Sequence, residues 1–93
     1  MKPQSAPHSR KPATVRLFVK PFCSWCEEAV DWLDEHGIKY ETLDVIRDAA
    51  AYREMVDLTD QDRAPCIEVD GEVLADFGVD ELQRWLAEHG YEV

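Results

Sequence analysis

Two cysteines separated by two residues, in the motif Cys23-Ser24-Trp25-Cys26, are the residues of this chain best suited to chemistry. The attacking species in disulfide exchange is a thiolate, so a redox cysteine needs a neighbour that stabilises negative charge on sulfur near neutral pH. Cys23 has two such neighbours: the free N–H groups of a helix predicted to begin at Ser24, and the ammonium group of Lys20. We therefore predict that Cys23 is the nucleophile.

The partner cysteine has a different predicted role. Cys26 lies one helical turn after Cys23, on the same face of the predicted helix. We expect it to be shielded from solvent and to act as the resolving cysteine, which attacks the mixed disulfide at Cys23 and releases the product. Trp25 is expected to be exposed, and a large exposed aromatic side chain beside a nucleophile favours a binding surface. Catalysis is thus assigned to Cys23 and Cys26, and substrate binding to Lys20 and Trp25.

A Cys-x-x-Cys pair is also half of a structural zinc site, which needs two further ligands. The remaining candidates are Cys66 and three scattered histidines, His8, His36 and His89. They do not form a second closely spaced pair, so redox chemistry is favoured and no metal site is predicted. Cys66 is either a third redox centre or a small buried hydrophobic residue, and burial is favoured.

The elements around the motif are predicted in the order β-α-β-α-β-β-α. The strands cover residues 14–19, 40–45, 66–69 and 72–75; the helices cover residues 24–36 and 47–57, and a last helix begins at Asp80. Asp70-Gly71 is a hairpin turn, and Asp80 is expected to cap the last helix with Gln83 at the N3 position. A helix between the first two strands makes them parallel, whereas the hairpin is antiparallel. We therefore predict an α/β fold with a four-stranded mixed sheet and helices on both faces.

Length and charge limit the classes of partner. The 93 residues suffice for one compact domain. Residues 1–13 lack apolar periodicity and are predicted to be a disordered N-terminal tail, which leaves the domain over residues 14–93. Twenty acidic residues against ten basic ones give a formal charge of −10. Such a charge argues against nucleic acid and membrane partners and favours a monomer.

The cysteine count bears on the compartment. Three cysteines are too few for a disulfide framework, and the sequence has neither an apolar stretch of about 18 residues nor a secretory signal. We therefore expect a reducing, cytoplasmic setting, where a Cys-x-x-Cys pair indicates redox chemistry.

Together these motifs resemble the glutaredoxins, a family of the thioredoxin-fold superfamily. The resemblance covers about residues 14–89; it is carried by Lys20-Pro21-Phe22-Cys23-Ser24-Trp25-Cys26, by Ala64-Pro65, and by Asp70-Gly71-Glu72-Val73-Leu74. It implies a thioredoxin fold in which Pro65 is a cis proline that faces the cysteine pair. It also implies that the backbone of Ala64 pairs with the substrate's cysteine segment, which adds Ala64 and Pro65 to the predicted substrate-binding residues.

The chain departs from the family pattern at three places. Ser24 and Trp25 stand where glutaredoxins usually have Pro or Gly and then Tyr or Phe, and Arg63-Ala64 replaces the usual Thr-Val. Gly78 occupies the position of a carboxylate that holds the amino end of glutathione in many members. The thiol chemistry is thus expected to be intact, whereas the use of glutathione is predicted to be weak.

The predicted function is a glutaredoxin-type thiol–disulfide oxidoreductase, an enzyme or electron carrier that reduces protein disulfides or glutathione mixed disulfides through Cys23 and Cys26. Its expected partners are disulfide-containing proteins or glutathione and a thiol reductant system. No tightly bound cofactor is expected, and glutathione is a candidate co-substrate. The alternative, which Ser24 suggests by resemblance, is a glutathione-dependent iron–sulfur cluster carrier. A binding adaptor without turnover is a third hypothesis, against which the two intact cysteines argue.

Overall fold

A four-stranded mixed sheet with three helices forms the framework of the molecule. The computed structural model describes residues 10–92. The strands are β1 (Val15–Val19), β2 (Glu41–Asp44), β3 (Cys66–Val69) and β4 (Glu72–Ala75); the helices are α1 (Ser24–Glu35), α2 (Ala49–Thr59) and α3 (Val79–Glu88). This confirms the predicted element order and fold. Within the described residues, the helices are too short or too polar to cross a bilayer.

The strand register gathers the chemistry at one edge of the sheet. The strand order is β2-β1-β3-β4, with β1 and β2 parallel and the other two pairs antiparallel. Cys66 at the start of β3 lies opposite Phe18 of β1 and opposite Ala75 at the end of β4. The connections that follow β1 and β4, and the one that precedes β3, therefore meet at the same end of the sheet. We call this end the site edge.

Two hydrophobic clusters hold the helices against the sheet, one on each face, because successive strand side chains point to opposite faces. On one face, Leu17 of β1 belongs to a cluster with Leu33 of α1 and Leu82 of α3. On the other face, Phe18 packs in a cluster with Met55 of α2. The predicted arrangement of helices on both faces of the sheet is confirmed. Helices α1 and α3 lie on one face, and α2 lies on the other.

The start of α3 corrects one sequence prediction. Gly78, in extended backbone conformation, is the N-cap residue and provides no side-chain hydrogen bond. Asp80, predicted as the cap, lies inside the first turn. The helix begins earlier because Phe77 is buried in the core and Val79 packs against the same cluster. The carboxylate of Asp80 is thus placed to interact with the helix dipole instead of capping the first N–H groups.

The bounds of α2 are shifted towards the C-terminus relative to the prediction of residues 47–57. Asp48 is its N-cap, and the carboxylate accepts hydrogen bonds from the N–H groups of Ala50 (3.0 Å) and Ala51 (3.2 Å). A side-chain oxygen that satisfies these first N–H groups defines where the helix begins. The residues before it form a turn in which Asp44 accepts the N–H groups of Ile46 and Arg47.

The predicted tail differs from the structure in its last four residues. Residues 1–9 lie outside the described residues, so their predicted disorder stays a prediction. Residues 10–13 contact the domain: the N–H of Ala13 donates to the Asp70 carboxylate, and Arg10 donates to the carbonyl of His89 at 2.7 Å. Asp70 also accepts the hydroxyl of the buried Tyr91 at 2.7 Å. The hairpin turn therefore anchors both ends of the described chain.

Candidate active site

The cysteine pair occupies the junction between β1 and α1. Cys23 is the N-cap residue of α1, and Cys23 and Cys26 are joined as a disulfide with a Cα–Cα distance of 5.2 Å. The Cys23 side chain is half-buried, whereas Cys26 is only 3% exposed. The burial expected for Cys26 is thus observed, and Cys23 is the more accessible sulfur of the two.

The helix N-terminus acts directly on the sulfur of Cys23. The backbone N–H of Cys26, at the N3 position, donates a hydrogen bond to Cys23 Sγ at 3.2 Å. A Ser or Asp at an N-cap accepts the same bond with oxygen, and here sulfur takes that place. In the reduced protein, a thiolate at Cys23 would accept this bond more strongly than a thiol and would also gain from the helix dipole. The geometry therefore favours ionisation of Cys23 over that of Cys26.

Phe22, which sequence reasoning did not assign to the site, is the most exposed apolar side chain near the cysteines. It is 104% exposed and has a left-handed backbone conformation, with a φ of 56°. Bulky residues rarely adopt this conformation, because it costs a residue other than glycine roughly 1–2 kcal/mol. The sequence offered one signal for this exposure. Phe22 stands between Pro21 and Cys23 in a short turn, from which a side chain cannot reach the core. A strained, fully exposed Phe beside the cysteine pair indicates a functional constraint.

Trp25 is 55% exposed, as expected, but one edge of its indole ring lies on the start of α3. A Cβ atom built on Gly78 would stand 3.1 Å from Trp25 Cζ3. Gly78 therefore leaves room for this ring. Trp25, Glu28 and Gly78 line a surface cavity of about 360 Å³ that continues along the first turns of α3.

The second cavity beside the pair lies between the end of β1 and α1. It measures about 300 Å³ and is lined by Val19, Lys20, Cys26, Glu27, Val30 and Asp31. Lys20 is half-buried and, within residues 10–92, forms no ion pair. Its free ammonium group therefore lines the same cavity as the sulfur-bearing residue Cys26.

The peptide bond between Ala64 and Pro65 is cis, as the resemblance implied. Pro65 is buried, and its carbonyl accepts the N–H of Asp76 at 2.9 Å, which ties it to the end of β4. Ala64 is half-buried and, in the described part of the chain, its N–H and C=O form no backbone hydrogen bond. Because Pro65 precedes Cys66, the register places it at the site edge, next to the end of β1.

Cys66 is fully buried in the cluster beneath α2, which agrees with the favoured reading of its sequence position. Its thiol donates to the carbonyl of Arg63 at 3.0 Å and accepts from Gln61 Nε2 at 3.1 Å. Burial is the largest cause that raises the pKa of the Cys66 thiol, and it opposes the lowering effect of hydrogen bonds from the Asp76 backbone and from the side chains of Gln61 and Thr59. The neutral thiol is therefore the stable form, which makes Cys66 a poor nucleophile.

The glutaredoxin family model matches residues 15–74. An uncharacterised glutaredoxin-like 8.6 kDa protein encoded in the rubredoxin operon of Clostridium pasteurianum is 26% identical over 70 residues, which cover 75% of this chain and 93% of that protein.

Comparison with solved structures shows the same kind of fold. The thioredoxin-like protein BC3987 is 31% identical and superposes with a TM-score of 0.71, over 76% of this chain and 97% of that one. A buckwheat glutaredoxin in complex with glutathione has a TM-score of 0.63 at 22% identity, over 85% of this chain and 81% of that chain, and supports the fold alone. The family match includes the motif cysteines Cys23 and Cys26, the cis proline, and all of the hairpin except Ala75. The chain therefore belongs to the glutaredoxin family.

Proposed function

We propose that this protein reduces disulfides by dithiol exchange, with Cys23 as the nucleophile and Cys26 as the resolving cysteine. One observation carries the proposal: Cys23 Sγ is the N-cap acceptor of the Cys26 N–H, while the Cys26 side chain is buried. The two sulfurs thus have different environments, and exchange in a fixed order requires such a difference.

The proposed reaction begins with the reduced protein. The Cys23 thiolate attacks one sulfur of the substrate disulfide, so that a Cys23–substrate bond forms and the substrate S–S bond breaks. The first substrate thiolate leaves and takes up a proton. Cys26 then loses its proton and attacks Cys23 Sγ, which releases the second substrate thiolate. The substrate gains two electrons, and the protein becomes the Cys23–Cys26 disulfide.

A thiol or dithiol reductant must return these two electrons to the protein. We propose a dithiol reductant, because dithiol exchange requires only the cysteine pair and the backbone at Ala64. Glutathione is proposed to be a weak co-substrate, since Gly78 provides no carboxylate for its amino group and the edge of Trp25 lies over this position. A reducing compartment, proposed to be the cytoplasm, would keep the pair in its active dithiol form.

Substrate positioning is proposed to use the backbone before the cis proline. The N–H and C=O of Ala64 are free of backbone partners within residues 10–92, and the register places them at the site edge. An extended substrate segment could therefore pair with them in antiparallel fashion, as in other strand-addition complexes. The ammonium group of Lys20, which has no ion-pair partner within residues 10–92, would stabilise the thiolate forms that appear during exchange.

Serine variants test the order of attack. Cys23→Ser is expected to abolish disulfide reduction, whereas Cys26→Ser is expected to accumulate a mixed disulfide that mass spectrometry detects. Cys66→Ala is the matched control, because it removes a thiol that has no proposed step. Iodoacetamide at about pH 6 should alkylate Cys23 first in the reduced protein, since the thiolate fraction sets the rate. Preferential alkylation of Cys26 or Cys66 would contradict the assignment.

The iron–sulfur alternative remains a hypothesis with its own test. Reconstitution with iron, sulfide and glutathione without oxygen would give a coloured dimer if the protein carried a cluster, and stripping glutathione would return a colourless monomer. We expect a colourless monomer throughout. A stable coloured dimer would mean that carrying an iron–sulfur cluster, and not disulfide reduction, is the primary function.

A further inference from the structure

The nucleophile is flanked by exposed aromatic side chains that have little role in the core. Phe22 is fully exposed, and Trp25 keeps about half of its surface in solvent while one ring edge contacts Gly78. They stand immediately before Cys23 and two residues after it, so both aromatic side chains are attached close to the reactive sulfur. We call these two residues the aromatic pair. Exposed apolar side chains grouped around a reactive atom are typical of an interaction surface.

Negative charge surrounds this surface. The cavity beside Cys26 carries Glu27 and Asp31, and the cavity beside Trp25 carries Glu28, Asp80 and Glu81. We call these five residues the acidic rim. Lys20 and Arg84 are the basic residues in the same two linings. Within residues 10–92 the rim carboxylates form no ion pair, so their charge is available to a partner.

We propose that the preferred substrate is a disulfide in a cationic protein segment, in which the reacting cysteine is flanked by Lys or Arg and by an apolar side chain. This inference rests on the proposed disulfide exchange and specifies its substrate class. Apolar side chains of the segment contact the aromatic pair, and its cations face the acidic rim. Complementary charge of this kind raises the association rate and disfavours partners of the wrong sign.

The same charges select against the other candidate occupants. Glutathione carries two carboxylates and one ammonium group, so the rim repels its net negative charge. A second copy of this chain has a formal charge of −10 and is also repelled. The cationic segment is the occupant that matches both the apolar surface and the sign of the rim.

The test uses three heptapeptide disulfides that have the same central Cys and an adjacent Leu, with flanking Lys, Gln or Glu. Each is mixed with prereduced protein, and the second-order rate constant of protein oxidation is measured. Division by the rate of the same peptide with free dithiothreitol removes differences in leaving-group pKa. We expect the Lys peptide to react about tenfold faster than the Glu peptide at low salt, with most of the difference lost at about 0.5 M salt.

Matched double variants separate the effect of the acidic rim from the effect of the protein's total charge. Glu27→Gln/Glu28→Gln removes two charges beside the cysteines, and Glu35→Gln/Glu88→Gln removes two at the far ends of α1 and α3. We expect the first variant to reduce the Lys-to-Glu ratio at least threefold and the second to leave it unchanged.

The outcomes distinguish the inference from the function on which it rests. Equal rates for the three peptides, a faster Glu peptide, or equal effects of the two double variants would overturn the cationic-substrate inference while exchange itself stands. Failure of every peptide to oxidise Cys23 would overturn both proposals.

Discussion

Restoring a carboxylate at residue 78 tests why glutathione should be a poor co-substrate. Gly78 has a φ of −104° and a ψ of 170°, a conformation that an L-amino acid adopts without strain. A new Cβ atom would stand 3.1 Å from Trp25 Cζ3, so the ring must shift by a few tenths of an ångström. Trp25 is half-exposed and can make this shift. Gly78→Asp is therefore expected to fold normally.

The expected effects on stability and binding are both modest. An Asp N-cap is better than Gly by a few tenths of a kcal/mol, which offsets the displacement of Trp25. We expect the free energy of unfolding to change by less than about 0.5 kcal/mol. A carboxylate that pairs with the ammonium group of glutathione at an exposed site contributes about 0.5–1 kcal/mol, which corresponds to roughly a twofold to fivefold gain in kcat/KM.

The assay is steady-state reduction of a small mixed disulfide, driven by glutathione in one series and by a protein dithiol system in the other. Gly78→Asp should raise kcat/KM for glutathione mainly through KM and leave the dithiol-driven rate unchanged, because the carboxylate adds binding and no chemistry. Gly78→Ala provides the same Cβ without the carboxylate, and Gly78→Asn provides a cap without the charge. Neither control should improve glutathione use.

Two results would refute this reasoning. Efficient, saturable turnover of the unmodified protein with glutathione would mean that other residues replace the missing carboxylate. An equal gain from Gly78→Ala and Gly78→Asp would mean that displacement of Trp25, and not the charge, controls access.

Three further predictions concern residues around the site and the anchor of the chain ends. Phe22→Asn should leave the melting temperature unchanged or higher, because Asn tolerates a positive φ, yet slow peptide-disulfide reduction about threefold to tenfold through lost apolar contact; an unaltered rate would contradict the role of Phe22. Tyr91→Phe should cost about 1 kcal/mol at neutral pH by urea titration. Among the contacts that lower the pKa of the Asp70 carboxyl group, the hydrogen bond from Tyr91 is the largest. The stability that this bond contributes is therefore fully present above the ordinary Asp pKa of about 3.9, and it is lost as pH falls through the lowered pKa of Asp70. Tyr91→Phe should therefore lose less stability on acidification than the unmodified protein does. An identical dependence of stability on pH in the two proteins would contradict this explanation. Cys66→Ala should keep activity within about twofold but lower stability by about 1–2 kcal/mol, because a fully buried, hydrogen-bonded side chain is lost; loss of activity in a folded variant would make Cys66 a redox participant.

Local sequence signals were sufficient for the elements that carry the chemistry. The Asp70-Gly71 turn between two short apolar runs predicted both strands of the hairpin with the bounds that the structure has. The strand before Pro21 and the apolar spacing after Ser24 placed Cys23 at the start of a helix, where it is found. These signals depend on residues close together in the chain, and their physical causes, turn geometry and helical periodicity, act over a few residues.

The features that distinguish this site from its family depend on residues that are far apart in the sequence. Asp80 has the chemistry of an N-cap, but packing of Phe77 and Val79 makes Gly78 the N-cap of α3, and this places Gly78 under the ring of Trp25. The attachment of residues 10–13 similarly depends on the distant turn at Asp70. The sequence by itself determined the order of elements, the cysteine pair and the excess of negative charge. Only the tertiary structure decided which side chain covers the start of α3 and which acids of α3 lie beside Glu28 of α1, because these contacts arise from the packing of separate elements against one sheet.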